Sequence, residues 1–344
     1  MADKYEVLPP DTDWRTAFRV GDVRPSPPDP RDFPALARNE APVSLPASFR
    51  LPERPIRNQG GKGACVAFSF ARILERHLSG SDLSEDEMYA RCRTPYDWIC
   101  QDTGSFPRDC AAISVSEGWL TEAQRPYDDR DLCTPPDANR VSLGAANRAT
   151  EYRLARNWED CKQLLYQHTT GVTICLTVYD SFFNVGADGI MPPPSGRAAG
   201  GHCMVIEGWD EHHAWIANSW SSGWGQRGYL RIPLRYVDGS VPPEAGGIWT
   251  GDLWTVLVAQ PQPDPQPDAT YREGYDDARD QDLDFIDGMI KFYQDQDSEF
   301  AQIAEIVCQY QMEIMRGFQP PSEPPALPKP PVELPAPPTM EASP

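Results

Sequence analysis

A chain of 344 residues exceeds one typical domain but is short for three, and 40% hydrophobic content allows a sizeable core. A net charge of −20 repels a phosphate backbone and excludes general nucleic-acid binding. No run of 18 apolar residues is present to span a membrane, and residues 1–10 lack the apolar region of a secretory signal, so a cytoplasmic home is expected, with signal-independent export or virion association left open.

Residues 1–45 are polar and broken by proline, as in Arg24-Pro25-Ser26-Pro27-Pro28-Asp29-Pro30, which predicts an extended arm. Residues 46–259 carry most of the tryptophan and glycine and read as globular. The spacing predicts a mostly buried helix over 65–78, with Val66, Phe68, Phe70, Ile73, Leu74 and Leu78 apolar. A second helix is expected near 108–117, with Gly118 as its stop, and another after Asp160. Runs at 172–178, 203–208, 214–218 and 229–232 read as strands. Helices first and strands later predict an α+β fold of two packed sub-domains. A stiff Pro/Gln linker follows at 260–269. Residues 270–317 read as an amphipathic helix, because Ile286, Met289, Tyr293, Gln296, Phe300, Ile303, Val307, Tyr310 and Ile314 recur at three and four, a heptad spacing with Gln296 as its one polar interruption. Its apolar seam needs a partner, through either docking on its own domain or self-association or a protein partner by way of 286–314. The Pro-rich tail, 318–344, is expected to be disordered. Over half of the net charge lies beyond residue 260 and says little about chemistry elsewhere.

Nine cysteines is an odd number, so at least one is unpaired, which suits a catalytic thiol without requiring one. Cys65 stands where a helix begins. The positive end of the helix dipole favours thiolate there, and a nearby imidazolium favours it further. Such a pair holds a nucleophile and a proton donor together. A third group should fix the imidazole tautomer, and an oxyanion site needs donors beside the attacked carbonyl. Gln59, six residues before Cys65, could supply one donor and the backbone N–H of Cys65 the other.

The segment Asn58-Gln59-Gly60 with Gly63-Ala64-Cys65-Val66-Ala67-Phe68-Ser69 resembles the nucleophile segment of the papain family of cysteine peptidases. Gly201-His202-Cys203-Met204-Val205 resembles its histidine segment. Asn218-Ser219-Trp220-Ser221-Ser222-Gly223-Trp224-Gly225-Gln226-Arg227-Gly228-Tyr229 resembles its asparagine segment almost residue for residue. The separations lie close to the roughly 130–150 residues of that family. The resemblance covers residues 46–259. It implies a papain-like fold with a helical left part and a β-barrel-like right part. Cys65 would be the nucleophile, His202 the general base and acid, Asn218 the orienter, Gln59 the oxyanion donor, and Trp220 a shield over the His–Asn bond. Gly63, Gly104, Ser105, Cys175, Gly200 and Gly201 would line the substrate cleft, with room for a bulky apolar or aromatic side chain beside Gly200. No metal and no cofactor are expected, and the substrate is a protein or peptide.

The chain departs from that pattern at several points. Val66 replaces the usual tryptophan after the nucleophile. Lys62 stands where the family has its first disulfide cysteine, and a Lys62–Asp102 ion pair with a looser loop is the expected substitute. A Cys92–Cys133 bridge is as compatible with the sequence as free thiols. The short arm replaces a long inhibitory pro-domain, and residues 24–33 are expected to lie along the cleft and restrain it. Glu207 and Asp210 receive no chemical role, and Cys203 reads as a packed strand residue. Beside a cysteine endopeptidase stand two alternatives: an amidase or transferase on a non-protein amide, and a scaffold that uses the C-terminal helix for assembly.

Overall fold

The computed structural model describes residues 4–9, 11–18, 20, 23–27, 41–78 and 80–258. The linker, the heptad helix and the Pro-rich tail expected beyond 259 lie outside the described residues, as do residues 28–33 of the arm.

The helices are α1 (Trp14–Ala17), α2 (Cys65–Leu74), α3 (Glu85–Arg93), α4 (Pro107–Ser116), α5 (Arg140–Gly144) and α6 (Trp158–His168). The strands are β1 (Phe49–Arg50), β2 (Glu151–Leu154), β3 (Val172–Tyr179), β4 (Ala198–Trp209), β5 (His213–Ala217), β6 (Tyr229–Pro233) and β7 (Trp254–Leu257). α2 ends at Leu74 rather than 78, and a hydrogen-bonded turn carries the chain on through His77. α4 stops where expected: Gly118 takes φ +74 and its N–H closes back on the carbonyl of Ile113, a conformation that glycine adopts without strain. α3, not anticipated from periodicity, is fixed by its ends. Ser84 caps it by accepting from the N–H of Glu87, and acidic residues fill its first turn. Within the arm, proline-free residues 14–17 make one helical turn where extended chain was expected, because Asp13 accepts the N–H of Arg15.

The long β4 organises the second sub-domain. It pairs antiparallel with β3 along most of one edge, with β1 at its end and β5 on the other side, and β6 follows β5. β2 and β7 form a separate two-stranded sheet. One apolar cluster, with Leu164, Ile174, Met204, Ile216, Trp220 and Leu230, packs α6 on the sheet. A second, with Phe70, Ile73, Leu83, Tyr89, Cys110 and Trp119, joins the helices and extends to Cys175, Cys203 and Val205 of the strands. α2 therefore lies against the sheet with its N-terminus beside the middle of β4. Among the described residues no helix is long and apolar enough to cross a membrane.

Two cross-links differ from expectation. Lys62 pairs with Asp86 rather than Asp102 and also donates to the carbonyls of Asp128 and Asp131. Both side chains are buried, and a buried ammonium requires its three protons to be satisfied. Asp102 is engaged elsewhere: it accepts from the N–H of Gly63 at 3.0 and 3.2 Å and from Tyr89 Oη at 2.7 Å. The glycine turn before the nucleophile is thus pinned from two sides, not loosened. Cys133 is bonded to Cys100, not to Cys92. Cys92 lies in the core between α3 and α4, whereas the N–H of Cys100 bonds the carbonyl of Leu132 and draws the two loops together.

Candidate active site

Cys65 is the first residue of α2, with no side chain capping that end. The backbone N–H groups of Cys65 itself, Val66 and Cys203 act on its sulfur in the sense that favours thiolate, and Cys203 follows His202 on β4. His202 stands opposite Leu176 in the β3–β4 register and is buried. Its Nε2 lies 2.8 Å from Asn218 Oδ1. That atom is identified as oxygen because it also accepts the N–H of Ser219 at 2.8 Å. An amide oxygen only accepts, so Nε2 carries the proton and Nδ1 holds the lone pair. Nδ1 is buried and has no hydrogen-bond partner, leaving it as the base, one residue from the backbone group that acts on the thiol. Trp220 stacks on the His202 ring at 4.8 Å and is itself fully buried, which excludes water from the His–Asn bond.

Gln59 is held beside this group. Its N–H bonds the carbonyl of Ser219 at 2.9 Å, its own carbonyl accepts from Tyr127 Oη at 2.8 Å, and its Oε1 accepts from Ser219 Oγ. Nε2 donates one proton to the carbonyl of Lys62 at 3.0 Å, leaving the second for an oxyanion. The fold brings together the segments of Cys65, His202, Asn218 and Gln59, the four residues to which the family resemblance assigns the catalytic roles.

The cleft residues are placed as follows. Gly104 takes φ +69 and its N–H bonds Tyr89 Oη at 3.0 Å, while Ser105 is buried with its hydroxyl unpartnered. Cys175 faces Cys203 across the β3–β4 pair. Gly200 takes φ +138, and Gly201 permits a close approach: a Cβ there would lie 2.6 Å from the carbonyl oxygen of Val23 and 2.4 Å from the Trp249 ring. The approaching backbone belongs to the N-terminal arm.

The arm is bound along this site by contacts no local motif announces. Lys4 is buried, with Nζ at 2.7 Å from Asp82, 3.0 Å from Glu85 and 2.8 Å from Glu122. The N–H of Leu8 donates to Ser221 Oγ at 2.8 Å. Phe18 stacks on Trp220 at 5.3 Å. Val23 packs in one apolar cluster with Cys65, Cys175 and Cys203. Arg24 lies 4.5 Å over the Trp98 ring. The N–H of Ser26 donates to both oxygens of the buried Asp252 at 3.0 and 3.3 Å, and Ser26 Oγ accepts the N–H of Arg108. Proline spacing alone suggested an arm; its anchors at Phe18, Val23 and Asp252 were not legible.

Burial governs the charges. Desolvation pushes the Cys65 thiol well up, against the backbone N–H groups that would lower it. Desolvation likewise lowers His202 from 6.5 to about 4, with the Asn218 bond acting in the opposite sense. Under the arm the site therefore rests as thiol and neutral imidazole rather than as the ion pair.

The sequence model of one family, papain family cysteine protease, matches residues 48–239. A cysteine protease of Blomia tropicalis is 27% identical over 202 residues, covering 54% of this chain and 60% of the relative. Papain of Carica papaya is 26% identical over 184 residues, covering 52% of this chain and 51% of papain. The chain thus spans between about half and three fifths of the length of these two relatives. In three dimensions it is similar to xylellain, a cysteine protease from Xylella fastidiosa, with a TM-score of 0.61 at 21% identity over 70% of this chain and 97% of that one.

Proposed function

The chain belongs to the papain family of cysteine proteases, and on that premise we propose that it is a cysteine endopeptidase held in check by its own N-terminal arm. The observation that carries the catalytic reading is the relay of Asn218 Oδ1, protonated His202 Nε2 and free His202 Nδ1, beside a thiol at a helix N-terminus. Once the arm gives way to substrate, the proton of Cys65 passes to Nδ1 and the sulfur attacks the scissile carbonyl. The carbonyl oxygen takes up negative charge between Gln59 Nε2 and the Cys65 N–H. The imidazolium then protonates the departing amine, leaving a thioester, and water activated by His202 releases the acid and restores the thiol. A protein or peptide chain is the substrate. Cleavage of a fluorogenic peptide, blocked by one equivalent of an epoxide that alkylates Cys65, tests the reading. A folded chain that neither cleaves peptides nor takes the label at Cys65 contradicts it.

Restraint is supported by Val23, which is buried in the apolar cluster that includes Cys65 and whose carbonyl closes on Gly201, the residue before His202. Val23→Asp keeps the Lys4 and Leu8 anchors but sets a carboxylate among apolar groups and thiols. Burial of one valine stabilises by about 1.5–3 kcal/mol, so peptide hydrolysis should rise on the order of tenfold to a hundredfold. An unchanged initial rate would remove the inhibitory role.

Closure should also depend on pH. Burial depresses the proton affinity of His202, so an opening that solvates the ring before substrate binds, with Cys65 still a thiol, takes up a proton between pH 6.5 and about 4. The closed form is therefore fully favoured above 6.5 and loses ground as the pH falls toward 4. Asp252, pushed up by burial, opposes this at the acid end. Hydrogen exchange of residues 14–18 and 23–27 should quicken relative to the core between pH 7 and pH 5; equal protection at both rules the linkage out.

A further inference from the structure

Three thiols meet beside the site, and the peptidase mechanism uses one. Cys65 from α2, Cys175 from β3 and Cys203 from β4 belong to one buried cluster, with Cys65 4% exposed and the other two fully covered. Cys175 and Cys203 are direct register partners, and residues so placed have Cα atoms about 4.5–5.5 Å apart. That spacing, within the roughly 4.4–6.8 Å a disulfide spans, belongs to Cys175 and Cys203 and makes a 175–203 bridge the competing outcome that the peptide map separates. Cys65 opens α2, which packs on β4, and shares the buried cluster with Cys203, whose backbone and thiol both act on the Cys65 sulfur. Any one of these cysteines alone would be a small buried hydrophobe. Their convergence on the nucleophile is what calls for a role.

We propose that Cys203 is the resolving thiol that protects Cys65 from irreversible oxidation, making the site a reversible peroxide switch. When the arm is displaced and Cys65 has passed its proton to His202, hydrogen peroxide oxidises the thiolate to a sulfenic acid: one oxygen passes to sulfur and the other leaves as water with the proton from His202. The Cys203 sulfur then attacks the Cys65 sulfur, an S–S bond forms, and the hydroxyl departs with the Cys203 proton as a second water. The enzyme is off in this state. A dithiol reductant returns both cysteines and the activity. Without Cys203 the sulfenic acid has a second peroxide as its competitor and proceeds to the sulfinic acid, which a dithiol does not reverse. Cys65 is the point of entry because displacement of the arm, which opens the cleft to substrate, opens it to peroxide as well, while Cys175 and Cys203 stay fully covered on the strands. This inference rests on Cys65 being the reactive thiol of the proposed peptidase.

The test treats the full chain with hydrogen peroxide, follows activity before and after dithiothreitol, and maps cysteine peptides by mass spectrometry. Recovery is scored against each protein's own untreated rate. The wild-type chain should regain most of its activity and yield a linked peptide pair joining residues 65 and 203. Cys203→Ala, and Cys203→Ser as the second variant of similar size, should regain at least fivefold less and carry two added oxygens on Cys65. Equal recovery in wild type and both variants, or a wild-type Cys65 that is unmodified or already carries two oxygens, overturns the proposal. The peptide map does not depend on turnover. A chain that forms the 65–203 link yet cleaves nothing refutes the peptidase reading alone, whereas a chain that cleaves peptides without forming the link refutes the switch alone.

Discussion

Cys65→Ala is expected to lower kcat/KM for peptide hydrolysis by about 10⁴-fold or more, to the background of the assay. No other group can form the thioester, and neighbouring Cys175 and Cys203 are fully buried on the strands rather than at a helix tip. Asn218→Ala should cost less, on the order of 10²-fold. It removes the acceptor for His202 Nε2 at 2.8 Å and frees the ring to adopt the other tautomer, but leaves sulfur and imidazole in place. Because the members act as a unit, the double variant should be no slower than Cys65→Ala alone. Steady-state kinetics on the three proteins checks the order. Equal losses for the two single variants would mean that Asn218 does more than orient, and activity in Cys65→Ala would place the nucleophile elsewhere.

Glu207→Ala should destabilise the fold by about 3–5 kcal/mol, the size seen when one partner of a buried ion pair is removed. Glu207 is on β4, five positions beyond His202, and is buried. It accepts a fork from Arg72 on α2, at 2.8 Å from Nε and 2.9 Å from Nη2, and a further bond from Arg76 at 2.9 Å. The helix that carries the nucleophile is therefore bolted to the strand that carries the base. Alanine leaves two guanidinium groups without their counter-charge. Glu207→Gln, which keeps the shape, should cost less. Burial alone would raise the Glu207 carboxyl, but Arg72 and Arg76 hold it below its usual value of 4.5. A depressed carboxyl stabilises above its unfolded value, so the contribution is present at neutral pH and is lost as pH falls through the folded value. Urea melts at pH 7 and pH 3 measure both parts: the gap between wild type and Glu207→Ala should be wide at pH 7 and narrower at pH 3. Similar midpoints at pH 7 would show that the bolt carries no net stability. No role for this residue is legible along the chain, because its partners lie more than 130 positions away.

Other misreadings share that cause. Lys62 was matched to Asp102 by position in the chain, yet the lysine finds Asp86 and two carbonyls because a buried ammonium goes where all its protons are met. Of the two states the sequence allows for Cys92, bridged to Cys133 or free, the fold takes the second: Cys92 is buried in the core and Cys133 bonds Cys100. The one-turn helix at Trp14–Ala17 was hidden by the prolines on either side of it.

The segments that hold Cys65, His202, Asn218 and Gln59, with the strand that carries His202 and the one that ends just before Asn218, could be picked out from residues alone, because each is a short run whose glycines, tryptophans and alternation constrain the local backbone. The course of the arm over the cleft, the Asp252 anchor, the Glu207 bolt and the meeting of three thiols emerged only on folding. Those depend on which side chains share a low-dielectric space. Desolvation makes every buried charge and donor seek a partner, and the partner is chosen by distance in space, which order along the chain does not encode.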